Sequence, residues 1–243
     1  MLWFSKIHHW VRGQKTRWTR WPPIGCVTFG NLRRLTPISQ IFGFDRGLPI
    51  DRYYIEKFLQ QYNSDIKGRV LEVGDSSYTC KFGDDRVSKS DILHATADNP
   101  KATIIADLTD AGCIPSSIFD CVILIQTLPF IYDFQSALKT IYRIITPGGT
   151  LLATFNGISQ ISRYDMERWG DYWRFTTKAA QRFMEELFPE SDITVKAYGN
   201  VLAAISFMHG LAAQELRPEE LDYHDPDYEL LITVRAVKPE CGV

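Results

Sequence analysis

Acidic and amide side chains stand just beyond a series of short apolar runs in the middle of this sequence. They are Glu72 and Asp75 on either side of Gly74, then Asp91, Asp107 beside Leu108, and Gln126. An ionised carboxylate only accepts hydrogen bonds, so it suits a partner that donates them, such as a ribose diol or the amine of adenine. Asp91 follows Glu72 at close to the ~20-residue separation that places the ribose acid in dinucleotide sites. Further on, NGISQISRYDMERWGDYWRFTT (156–177) is dense in side chains that hold an acceptor molecule. Trp169, Tyr172 and Trp173 offer flat surfaces for a sugar ring. Asp165, Glu167 and Asp171 offer carboxylates, and Arg163, Arg168 and Arg174 would hold an anionic substituent. Asp165 and Asp171 are the candidate proton acceptors of this segment.

The elements that must position these residues alternate between strands and helices. GRVLEVG (68–74), RVSKSDIL (86–93), ATIIADL (102–108), FDCVILIQT (119–127) and GTLLATF (149–155) read as buried strands, each a short apolar run bounded by turn formers. PIDRYYIEKFLQQY (49–62), FQSALKTIYRII (134–145) and TTKAAQRFMEELF (176–188) carry apolar residues at helical spacing. Beyond them come a strand at 192–198, one apolar helix over 201–216 and a last strand at 228–237. Strands alternating with helices imply parallel βαβ units with right-handed crossovers. The expected fold is therefore α/β, a mostly parallel twisted sheet with an antiparallel edge and helices on both faces. Residues 1–48 read as an aromatic and basic extension. Residues 49–243 read as one domain, with a core over 68–155 and an acceptor-side, sheet-completing part over 156–243. In an open sheet of this kind ligands bind beyond the carboxyl ends of the strands, where these acids and amides stand.

At these positions the sequence resembles class I S-adenosylmethionine-dependent methyltransferases, in particular the broad type 11 group found with glycan-assembly genes. VLEVG is similar to the first motif of that family, IIADLTD with FDCVILIQTL to its third and fourth, and ITPGGTLLATF to the turn and fifth strand. The resemblance covers residues 68–155 and implies a Rossmann-like fold with S-adenosylmethionine as cofactor. It implies that Gly74 approaches the methionine portion, with Glu72 and Asp75 lining that end. Asp91 would take the ribose hydroxyls, Asp107 the adenine amine with Leu108 against its ring, and Gln126 would lie beside the sulfonium. Methyl transfer is an in-line displacement, so the protein's task is chiefly to position the acceptor. The expected acceptor is a saccharide or glycan hydroxyl, with a small metabolite or lipid-linked molecule as the alternative.

One departure stands inside the signature. Where the family continues as G-x-G-x-G, this sequence has Asp75-Ser76-Ser77-Tyr78, which leaves fewer positions able to take a positive φ beside a ligand. Either Ser76, Ser77 or Tyr78 supplies side-chain contacts instead, or cofactor binding has been lost and the fold serves as a partner or scaffold. The same departure argues against a nicotinamide enzyme, which needs its glycines to seat a pyrophosphate. The segment FGFDRGLPIDRYY (42–54) reads either as a lid carrying Asp45, Arg46, Arg52 and Tyr53 toward the site or as a rigid cap.

The chain has 243 residues, 45% hydrophobic and 23% charged, with a formal net charge of -2. These values exclude general disorder and give no footprint of a nucleic-acid binder. Five scattered cysteines without a C-x-x-C pair read as reduced thiols of a cytoplasmic protein, and no metal-ligand spacing is present. Residues 1–21 lack the run and cleavage site of a signal peptide. As a helix they would place Trp3, Phe4, Ile7, Trp10 and Val11 on one face, with Lys15, Arg17 and Arg20 next along the chain. That pattern fits peripheral membrane contact, or a helix packed on the domain or a frayed tail.

Overall fold

The computed structural model describes residues 22–240, residue 24 excepted. The segment 1–21, with its two readings, lies outside the described residues. Contacts divide the chain into Met1–Pro37 and Ile38–Val243. Residues 38–48, expected to belong to the extension, fall in the second unit. The backbone N–H groups of Ile38 and Ser39 both donate to His209 O, at 2.8 and 3.1 Å, and that of Ala213 donates to Leu48 O at 2.7 Å. Within the first unit, a short 3-10 turn at Gly30–Leu32 is the one regular element among the described residues.

The apolar runs form β1 (Gly68–Val73), β2 (Val87–His94), β3 (Ile104–Ile105), β4 (Phe119–Ile125), β5 (Ile145–Asn156), β6 (Ile193–Tyr198) and β7 (Leu231–Val237). They join in one sheet of order β3-β2-β1-β4-β5-β7-β6. Pairs from β3 through β5 are parallel, and β7 runs antiparallel to both β5 and β6. The antiparallel strand thus sits one place in from the edge, with β6 outside it. β4 is central, and Cys121, Val122, Ile123 and Leu124 are all fully buried, as expected for a strand covered on both faces.

Alternation along the strands divides the core between the two faces. Leu71, Val122, Leu124, Leu151 and Ala153 share one cluster with residues of the helices at Phe134–Ile144 and Thr177–Glu185. Phe134, Phe155, Phe175 and Phe183 interlock there, with ring centroids 5.3–5.7 Å apart. Val70, Cys121, Ile123 and Leu152 face the other way, against Ile50, Tyr54, Phe58 and Phe207. We number the helices α1 (Ile50–Gln61), α2 (Ser77–Phe82), α3 (Phe134–Ile144), α4 (Arg163–Arg168), α5 (Thr177–Glu185), α6 (Val201–Met208) and α7 (Pro218–Asp222).

Two expectations are corrected. The single helix over 201–216 ends at Met208, because Gly210 adopts a φ of +68° and turns the chain back against Ser39. Beyond that turn the chain makes a bridge from Ala212 to Pro49 and a 3-10 turn at Ala213–Glu215. The third strand shrinks from 102–108 to two residues, since it pairs only with Leu93 and His94 at the end of β2.

Candidate active site

Because the chain runs from β1 outward to β2 and β3 and then returns beyond β1 to β4, the strand order reverses between β1 and β4. A crevice opens at the carboxyl ends of strands at such a point. Here it is a cleft of about 800 Å³, floored by the ends of β1, β2, β3, β4 and β5. The start of α1 and Phe42 and Phe44 form one wall. The segment from Ser159 to Tyr172 forms the other.

Gly74 lines the floor at a φ of +92°, and a Cβ added there would meet nothing within 4 Å. Its N–H donates to Leu93 O at 2.9 Å and its carbonyl accepts from Asn99 Nδ2 at 2.7 Å, so the turn is pinned to β2 and to the loop that follows it without further glycines. Glu72 is turned away from the cleft. Its carboxylate accepts from Thr79 N at 2.8 Å, Thr79 Oγ1 at 2.7 Å and Tyr78 N at 3.2 Å, satisfying open donors of α2. Burial pushes its carboxyl up, against the pull of these hydrogen bonds. Asp75 accepts from Ser77 N at 2.8 Å and so starts the helix with a side-chain turn where the family uses glycine. Neither acid lines the cleft, and nor do Ser76, Ser77 or Tyr78.

Asp91 is also turned away. It lies three residues before the end of β2, is 2% exposed, and accepts from Arg69 Nε at 2.7 Å and Thr103 Oγ1 at 3.1 Å. Although burial acts to raise it, hydrogen bonds from Arg69 and Thr103 and the charges of Arg69 and Lys89 hold the carboxyl below its ordinary value. β2 ends instead in His94, which lines the cleft.

The other expected residues come together. Asp107 and Leu108 line the cleft beyond β3. Asp107 Oδ1 accepts from Thr109 N at 2.9 Å and Oγ1 at 2.8 Å, which leaves Oδ2 without a partner among the described residues. Gln126 lines the floor beyond β4 at a φ of +46°, and its Nε2 donates to Asp51 Oδ2 at 2.9 Å.

On the far wall Asp165, Arg168, Trp169, Asp171 and Tyr172 line the cleft. Trp173 is packed behind it, with its indole N–H shared between Ile131 O and Tyr132 O, both at 3.2 Å. Asp171 is ion-paired with Arg174, its side chain 1% exposed, and also accepts from Ser162 N at 3.1 Å. That pairing holds the wall together and leaves Asp171 ill placed to take a proton. Asp165 Oδ2 accepts from Ser162 Oγ at 2.5 Å, and its other oxygen has no partner among the described residues. Trp169 meets His94 edge to face at 5.5 Å, so this wall reaches across the strand ends to β2.

Of the four residues expected on a lid, only Arg52 lines the cleft. Asp45 accepts from Ser39, Arg46 pairs with Glu215, and Tyr53 donates to Asp222 at 2.8 Å. Asp51, His94, Tyr132 and Asn156 also line the cleft, although nothing in their sequence positions singles them out. Asp51 and Asn156 are both buried, yet each reaches the cleft.

Residues 59–153 match the sequence profile of a family described as a methyltransferase domain. The seven-stranded sheet is that of the Rossmann-like class I methyltransferase fold. The chain's fold is similar to that of an S-adenosylmethionine-dependent methyltransferase from Archaeoglobus fulgidus, with a TM-score of 0.51 and 11% identity over 77% of this chain and 94% of that one. It is also similar to phosphoethanolamine N-methyltransferase 2 from Haemonchus contortus, with a TM-score of 0.51 and 16% identity over 90% of this chain and 62% of that one. No curated protein matches the sequence significantly. The cleft thus stands where the fold places its ligands, with most of its floor supplied by the matched segment and most of its outer wall by residues beyond it.

Proposed function

We propose that this protein is a methyltransferase that transfers the methyl group of S-adenosylmethionine to a hydroxyl of a saccharide or glycan intermediate. The observation that carries the acceptor half is the outer wall. Trp169, Tyr172 and Tyr132 present ring surfaces to the cleft, with Tyr132 70% exposed and meeting Tyr172 edge to face at 5.4 Å. Flat rings interleaved with Asp165, Gln160 and Asn156 combine apolar faces with hydrogen-bonding groups, which is what a sugar ring presents in return.

The floor fits the cofactor. The space beside Gly74 admits a ligand against bare backbone, and Asp107 keeps one carboxylate oxygen for an adenine amine with apolar Leu108 adjacent. When bound, S-adenosylmethionine supplies an electrophilic methyl group. The chain's own part is to orient the acceptor against it, to exclude water between the two walls, and to receive the hydroxyl proton. For that last role we assign Asp165, which lines the cleft and keeps one carboxylate oxygen without a partner among the described residues.

The test is transfer of label from methyl-tritiated S-adenosylmethionine to a panel of saccharides, small alcohols and amines, and lipid-linked sugars. Label on a saccharide hydroxyl supports the reading. Label confined to amines or to small alcohols overturns the acceptor assignment.

A further inference from the structure

The two acids expected at the methionine end, Glu72 and Asp75, are consumed by α2, yet an acid and a base that line the same cleft as Gly74 keep hydrogen-bonding capacity open. Asp51 and Arg52 open α1 and both line the cleft. They sit at the point of strand reversal, because Asp51 reaches Gln126 after β4 and Arg52 Nη1 donates to Tyr78 OH after β1, at 2.9 and 2.8 Å. Asp51 is 6% exposed and Arg52 is half-buried. Neither enters an ion pair among the described residues. Asp51 accepts only from Arg52 N at 2.7 Å and from Gln126 Nε2, and the guanidinium makes only the one hydrogen bond to Tyr78.

Each charge steadies the other through space, but without a direct ion pair both keep unfilled hydrogen-bonding positions in a largely buried wall, which is costly unless a ligand fills them. A ligand bearing an ammonium and a carboxylate on one carbon satisfies both. The ammonium donates to the Asp51 carboxylate, and the carboxylate accepts from the free fork of N–H groups on Arg52. The amino-acid end of S-adenosylmethionine is such a group. Resting on the cofactor reading proposed for this cleft, we infer that Asp51 and Arg52 form a zwitterion clamp for the α-amino acid end of the cofactor. It takes over the grip that the missing glycines of the 74–78 loop would otherwise provide. The clamp comes from outside the segment matched to the family profile, since that match begins at residue 59.

Calorimetric titration with two nucleoside ligands tests it, because S-adenosylhomocysteine carries the amino acid and 5′-methylthioadenosine lacks it. Wild type is expected to bind S-adenosylhomocysteine about tenfold or more tighter than 5′-methylthioadenosine. Arg52→Gln and Asp51→Asn are each expected to remove about tenfold of affinity for S-adenosylhomocysteine while leaving that for 5′-methylthioadenosine within about twofold. Arg52→Lys is expected to restore part of the loss, and binding of 5′-methylthioadenosine itself reports an intact nucleoside site in each variant. Equal loss for both ligands, or an unchanged ratio between them, overturns the clamp while leaving the methyltransferase reading in place. Failure of wild type to bind either ligand overturns that reading and the clamp with it.

Discussion

Gln126 leaves β4 with a φ of +46° and gives its side-chain N–H to Asp51 Oδ2 at 2.9 Å. A carboxylate only accepts, so the contact fixes which end of the amide faces Asp51 and leaves Gln126 Oε1 without a partner among the described residues. It also ties the start of α1 to the strand ends across 75 positions of sequence. A non-glycine residue held at positive φ costs energy that the surroundings must offset, and such residues gather at functional sites.

Gln126→Leu removes the donor and leaves a buried carboxylate oxygen unpaired. Urea unfolding is expected to show a loss of about 1–3 kcal/mol. Burial already pushes the Asp51 carboxyl up, against the pull of Arg52 and Gln126, and the substitution should push it further. An unchanged midpoint would mean that the contact does not hold α1 in place.

Asp107→Asn keeps an oxygen that can accept from Thr109 N, so the turn at Leu108–Asp110 should persist. What it loses is an acceptor-only group facing an adenine amine. Affinity for S-adenosylhomocysteine is expected to fall by roughly 1–3 kcal/mol with little change in stability. Equal affinity for both proteins would refute the placement of adenine.

The strands were legible because GRVLEV and FDCVILI are apolar over a strand's length and end in turn formers. The role of Asp91 was not, since spacing from Glu72 counts residues and says nothing of how far a strand continues. β2 runs on to His94, and Arg69 on the neighbouring strand claims the carboxylate. Asp51 read as a helix opener, and its second role appears only when α1 is packed over the end of β4. Gly210 read as one small residue in an apolar helix, and its turn depends on Ser39, far away in sequence. In each case the missing information was a contact between distant segments.

The Arg69–Asp91 pair gives a pH signature of that difference. Its folded carboxyl is held below the ordinary value, so its contribution to stability is present above the unfolded pKa and is lost as pH falls through the folded one. Asp91→Asn is expected to lower stability by about 1.5–3 kcal/mol near neutral pH. Urea unfolding at a series of pH values should show the gap between wild type and variant closing on acidification below the carboxylate range. A gap that stays constant would contradict the ion pair.

Two glycines at positive φ should respond differently to alanine. At Gly210 the added Cβ would lie 2.4 Å from the backbone oxygen of Ser39, so Gly210→Ala should destabilise by at least about 2 kcal/mol. At Gly74 nothing lies within 4 Å, and Gly74→Ala should cost only the backbone strain of about 1–2 kcal/mol. Its larger effect should fall on affinity for S-adenosylhomocysteine, because the methyl group enters the space kept for the ligand. Thermal unfolding and calorimetry together separate the two outcomes.

On the proposed function, the cleft at the β1–β4 reversal binds the cofactor although its first motif keeps a single glycine, Gly74. Isothermal titration of the purified full chain with S-adenosylhomocysteine tests it most directly. Saturable one-to-one binding that weakens in Asp107→Asn is the predicted result. No heat at millimolar ligand would contradict it and leave a methyltransferase fold that does not bind the cofactor.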